Sequence, residues 1–228
     1  MKGFNPGNKA ANLIRLKESG FRVPDFCVVD TVLTEKDLIN TVTEKLPGCK
    51  LFAVRSSSSS EDGDNKSNAG RFYSSLAVKV KELWTEYQKV VQSLNGVPGG
   101  VIVQEFIPAD LSGVIFTDIK SDRYFINSNA GLCKTVVEGK SCDEFLTDSK
   151  ARIIEKHIPK QKNILFYDGS ALNNSKTTIV SLHNKQLKPL VYTALKIQRL
   201  FDAPQDIEWS FFNNRLYILQ SRPVTVSL

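Results

Sequence analysis

The chain has 228 residues, 41% hydrophobic and 24% charged, a balance that allows a sizeable buried core and excludes disorder as a global description. The formal net charge of +6 is spread out, and its densest basic stretch (residues 150–162) is interleaved with Ile153, Ile154 and Ile158. That pattern reads as the solvated face of an ordered segment and argues against nucleic acid as the partner. No apolar run reaches the length of a membrane span and residues 1–6 hold no apolar signal core, so the expectation is a cytoplasmic protein with no membrane partner.

In chain order, Gly3, Pro6 and Gly7 lead to Asn8 as a candidate N-cap. Ala10, Leu13 and Ile14 then fall at helical spacing up to Gly20. A glycine-led loop feeding a helix leaves backbone N–H groups at its start, where an anion can dock. Lys9 stands in that first turn, and from the local pattern alone the plainer reading, one of many solvent lysines, prevails. A strand is expected over 21–30, then a helix capped by Thr34 and carrying Leu38, Val42 and Leu46. Residues 51–54 form a short buried strand that delivers Arg55 into five serines, Ser56 to Ser60. Such a run reads either as a flexible linker or as a loop holding phosphates with hydroxyls and a bidentate cation.

Residues 69–78 return to strand composition. From Lys79 to Leu94 the apolar residues Val80, Leu83, Trp84, Tyr87, Val90, Val91 and Leu94 recur every three or four, the firmest helical pattern here, with Trp84 and Tyr87 as core residues. Gly96, Pro98, Gly99 and Gly100 break the chain and set the expected division into lobes 1–96 and 97–228. Strands over 101–107, 112–117 and 123–127 suggest an antiparallel meander. Leu190, Ala194, Ile197 and Phe201 mark the last helix. Cys27, Cys49, Cys133 and Cys142 lack the paired spacing of a zinc site and read as reduced structural thiols.

The chain closes on a hairpin in which Asp206-Ile207-Glu208-Trp209 and Tyr217-Ile218-Leu219-Gln220-Ser221-Arg222 flank Asn213-Asn214. Glu208 and Gln220 are oxygen donors and Arg222 is a fixed cation, a set suited to a hard cation bridging phosphates; the plainer reading is an ordinary surface hairpin. Side chains alternate across a strand, so a regular two-residue turn would send Glu208 and Gln220 to opposite faces. A shared face demands a three-residue loop or a bulge, although Asn-Asn favours the tight turn.

Taken together, these segments resemble the ATP-binding domain of the pyruvate phosphate dikinase and phosphoenolpyruvate synthase family, a branch of the ATP-grasp fold. The resemblance is carried by Gly7-Asn8-Lys9-Ala10-Ala11-Asn12-Leu13, by Val54-Arg55-Ser56-Ser57 with Ala69-Gly70, and by Val103-Gln104. It continues through Ser112-Gly113-Val114-Ile115-Phe116-Thr117, Gly131-Leu132, Asp206-Ile207-Glu208-Trp209 and Leu219-Gln220-Ser221-Arg222-Pro223. It implies an α+β, ATP-grasp-like fold of two lobes, with largely antiparallel sheets and packed helices and an ATP site between the lobes. It further implies that Lys9, Arg55 and Arg222 act on the phosphates as catalytic groups, Gly70 and Ser74 lie in a covering loop, Gln104 faces adenine, and Glu208 and Gln220 bind Mg2+. The expected activity is a kinase or phosphotransferase component that passes a phosphoryl group to a histidine on a separate protein, or to a small acceptor. The alternative is a nucleotide-binding regulatory module that has lost catalysis. Two departures accompany the resemblance: the family's chain between Leu94 and Val101 is longer, and neither His157 nor His183 has the glycine-rich context of a phosphocarrier histidine.

Overall fold

The computed structural model describes residues 5–58, 73–118, 121–179 and 181–224. The chain falls into two compact units. The first holds Met1–Glu18 and Pro24–Phe106; the second holds Ser19–Val23 and Ile107–Leu228.

Among the described residues the first unit contains helices α1 (Gly7–Glu18), α2 (Glu35–Lys45) and α3 (Leu83–Leu94). Its antiparallel sheet runs in the order β1-β4-β2-β3, made of β1 (Phe26–Val29), β2 (Leu51–Ser58), β3 (Ser74–Lys79) and β4 (Gly99–Glu105). Alternation along the strands sorts the side chains into two faces. Cys27, Val29, Phe52, Val54, Val101 and Val103 point one way and close a core with Leu38 and Val42 of α2 and Leu83, Tyr87 and Val90 of α3. Ala53, Arg55, Ser57, Ile102 and Gln104 point the other way, toward α1. Thr34 caps α2 as expected, its Oγ1 accepting the Asp37 N–H at 3.2 Å. Tyr87 is a core residue whose hydroxyl donates to the Asp30 carbonyl at 2.7 Å and accepts the Leu33 N–H at 3.1 Å. Asn8 lies inside α1; the side chain that meets the helix start is Asn5, whose Oδ1 accepts the Gly7 N–H at 2.9 Å.

Two expectations change here. The glycine-rich stretch at 96–100 leads straight into β4, which pairs with β1 and β2, so the division between units falls after Phe106 rather than after Gly96. For the same reason β4 takes no part in a meander with the strands that follow it.

In the second unit the strands are β5 (Leu111–Phe116), β6 (Tyr124–Ala130), β7 (Asp143–Thr147), β8 (Ile153–His157), β9 (Lys162–Tyr167), β10 (Leu172–Thr177), β11 (Gln205–Phe212) and β12 (Arg215–Pro223), with helices α4 (Lys134–Val137) and α5 (Asn184–Phe201). Six strands form an antiparallel sheet in the order β12-β11-β5-β6-β7-β8, while β9 and β10 pair separately as a hairpin. The Asp168 carboxylate closes that hairpin by accepting from Ser170, Ala171 and Asn173. Ile207, Ile115, Ile126 and Phe145 stand opposite one another and make an apolar row across the sheet. The buried stripe of α5, Leu187, Leu190, Val191, Ala194 and Ile197, packs against β11. Gly113 has no room for a side chain, because a Cβ there would fall on the Asn127 carbonyl oxygen and lie 2.8 Å from Trp209 Cζ2. Among the described residues no helix is long and apolar enough to cross a membrane.

Candidate nucleotide site

In the first unit the predicted residues gather on the sheet face that α1 covers. Arg55 lies directly opposite Ser74 on β3 and Ile102 on β4, and Gln104 lies opposite Ala53, two residues before Arg55. Arg55, Ser74 and Gln104 therefore share a face. The helix carrying Lys9 is tied to the same face, since the Ala10 N–H donates to Ser57 Oγ at 3.0 Å. This approach fixes a glycine at position 7: its φ is +76°, and a Cβ would collide with the Ser57 backbone. Ser56, Ser57 and Ser58 are accordingly the buried end of β2 and not a linker. Ser59 and Ser60 lie outside the described residues, as does Gly70. Gln104 is 2% exposed and its Nε2 has no hydrogen-bond partner.

In the second unit the site rests on the β11–β12 hairpin. Its turn is the tight one, Asn213 and Asn214 with φ of 50° and 59° and Phe212 opposite Arg215. A bulge then shifts the register between Glu208 and Trp209: Trp209 faces Ile218, while Glu208 faces Gln220. Leu219 is the extra residue, and it packs beside the Val114, Cys133, Val136 and Cys142 cluster. The bulge thus puts Glu208 and Gln220 directly across from each other, which the turn alone would not do. Two register positions away Arg222 faces Asp206, with Nε and Nη2 each 2.8 Å from Asp206 Oδ2. The guanidinium is held by a charge-assisted pair on the same face as Glu208 and Gln220.

Register extends this row across the sheet. Glu208 stands opposite Val114, Val114 opposite Asn127 and Asn127 opposite Glu144, so all share the Glu208 face. Asn127 Oδ1 is buried without a hydrogen-bond partner. Asp206, Asn127 and Glu144 are among the polar residues on this face that sequence reasoning did not single out. Asp206 was detectable from its i−2 spacing to Glu208; Asn127 needed the β5–β6 register. Beneath the row, burial pushes the Cys142 thiol up to about 11, and the Cys27 thiol of the first unit rises to about 11 for the same reason, as suits structural, protonated cysteines. Among the described residues no three His, Cys, Asp or Glu side chains cluster to hold a metal ion, so a cation here would draw on Glu208, Gln220 and non-protein oxygens.

Comparison with known proteins gives a concordant result. The family model "Pyruvate phosphate dikinase, AMP/ATP-binding domain" matches residues 96–227. A protein of Bacillus subtilis (strain 168) named "Uncharacterized phosphotransferase YvkC" is 26% identical, the match covering 96% of this chain and 33% of that one. A "Probable phosphoenolpyruvate synthase" of Methanocaldococcus jannaschii is 29% identical over 76% of this chain and 17% of its own length. The chain thus spans a third or less of these relatives. Among solved structures, a dinucleotide-forming acetyl-coenzyme A synthetase of Ca. Korarchaeum cryptofilum, in complex with coenzyme A and Ca-AMPCP, aligns with a TM-score of 0.56 at 14% identity, covering 93% of this chain and 89% of that one. The shared fold is α+β and ATP-grasp-like.

Proposed function

The chain belongs to the pyruvate phosphate dikinase AMP/ATP-binding domain family, and on that premise we propose that it is an ATP-dependent phosphotransferase component that takes Mg-ATP. The phosphoryl group passes to a histidine on a separate protein or to a small acceptor. The observation that carries this reading is the bulged hairpin, which puts a carboxylate and an amide opposite each other beside an anchored guanidinium. Mg2+ takes oxygen ligands and usually keeps phosphate oxygens and waters, so two protein ligands, Glu208 and Gln220, suit it. When bound, the ion neutralises charge on the migrating phosphoryl group.

The chain's own residues do the positioning. Arg222, steadied by Asp206, orients a phosphate oxygen, and Arg55 and Lys9 grip the others with Ser74 alongside. Gln104 presents a buried N–H with no acceptor among the described residues, an omission worth roughly 1–3 kcal/mol until a partner arrives; the edge of adenine supplies one. Incubation with magnesium and labelled ATP, alone and with cell extract, should label an acceptor, and Glu208→Gln should abolish the label. Absence of ATP binding at millimolar nucleotide overturns the proposal.

A second reading, a regulatory module that binds ATP without turnover, draws on the short passage from α3 to β4, four residues from Asn95 to Pro98, where the family carries a longer chain. ATP that raises the melting temperature while no product forms in any partner mixture would favour it.

A further inference from the structure

On the sheet face opposite the Glu208 row, the second unit carries a groove of about 670 Å3. One stripe of α5 forms its first wall, the tip of the β11–β12 hairpin its second, and residues 19–22 its third. Four cationic residues line it, Arg22, Lys185, Lys196 and Arg215, and among the described residues no Asp or Glu does. The ion pairs present among the described residues involve none of the four. Like charges gathered in one concavity repel each other, and the field they share is relieved by an anion.

The arrangement is built rather than scattered. The Ile218 N–H donates to the Arg22 carbonyl at 2.9 Å, which ties residues 19–22 to the hairpin. Lys185 sits in the first turn of α5, an 18-residue helix whose N-cap, His183, makes no side-chain capping bond; the helix dipole there adds to the positive field. Gln186 in the same wall is 9% exposed, and its Oε1 has no hydrogen-bond partner. Phe211, Leu216 and Ile218 supply an apolar floor, and the volume is that of a small-molecule site.

We infer that this groove binds a small organic phosphate, with the basic side chains that line it on the phosphate and the organic body on the Phe211 floor. A multiply charged phosphate answers a cluster of positive charges better than a lone carboxylate does. This reading is independent of the nucleotide site on the other face.

The probe is phenyl phosphate, titrated calorimetrically into the full chain at low ionic strength with inorganic phosphate as comparator. The expected result is tighter binding of phenyl phosphate than of inorganic phosphate. Affinity should fall tenfold or more in Lys196→Glu/Arg215→Glu and stay unchanged in Arg55→Ala, which disables the other site. Both reversed residues are exposed; should that pair fail to fold, Lys196→Gln/Arg215→Gln is used instead, with a threefold loss or more expected. Unchanged affinity in a folded double variant, or loss of binding in Arg55→Ala, overturns the assignment.

Discussion

Lys162→Met removes the cation from an ion pair that water cannot reach. Lys162 and Asp143 are 1% and 0% exposed, and Lys162 Nζ lies 2.5 Å from Asp143 Oδ1 and donates to the Ile179 carbonyl at 2.6 Å. Asp143 Oδ2 accepts the Ser181 N–H at 2.6 Å and its hydroxyl at 2.8 Å. Methionine keeps most of the stem, so the cost is electrostatic: a buried carboxylate loses its counter-charge and a buried carbonyl its donor. Removing one partner of such a pair costs about 3–5 kcal/mol. The two Ser181 bonds survive and hold the estimate near the lower end, at about 3 kcal/mol. For a chain of this length each kcal/mol moves Tm by about 2–4 °C, so calorimetry should show a fall of about 6–12 °C. Lys162→Met/Asp143→Asn, which removes both charges, should recover at least half of that loss. A single variant within about 2 °C of the parent protein would refute the reasoning, as would a double variant less stable than the single one.

Gly113→Ala forces a methyl group onto the Asn127 carbonyl and the Trp209 ring and should cost about 3 kcal/mol or more, read as a shift in urea midpoint. Thr34→Ala deletes the α2 cap and should cost about 1 kcal/mol in the same assay. Asp206→Asn removes the charged pair that steadies Arg222 and should weaken ATP binding several-fold with unchanged circular dichroism; unchanged affinity would detach the pair from the site. Burial raises the thiols of Cys27 and Cys142 to about 11 and raises the phenols of Tyr87 and Tyr124. The unfolded chain therefore loses these protons first. The stability they contribute is complete below pH 9 and is lost as pH rises toward 11, so the urea midpoint should fall steadily over that interval.

Helices α2, α3 and α5 were legible because their apolar residues recur at helical spacing, and Thr34 announced its own cap. The hairpin was legible too, including the need for either a three-residue loop or a bulge if Glu208 and Gln220 are to share a face, because parity on two strands is a local count. Strand pairing was not. β4 resembles the strands after it in composition, yet it joins β1 and β2, a choice made by contacts distant in sequence. The serine run read either as a linker or as a phosphate-holding loop because composition does not register Gly7 and Gly99, where a Cβ on either would collide with the Ser57 backbone. Asn127 stayed hidden because its neighbours on the Glu208 face come from three other strands.

Residues 19–23 belong with the second unit although first-unit sequence precedes and follows them. The shortest run of gene that encodes the second unit whole therefore opens at Ser19, far upstream of residue 96, where the family match begins. A recombination event that copied only the matched stretch would leave Ile218 without the Arg22 carbonyl. To travel intact between genes, the second unit must take nearly all of the first with it.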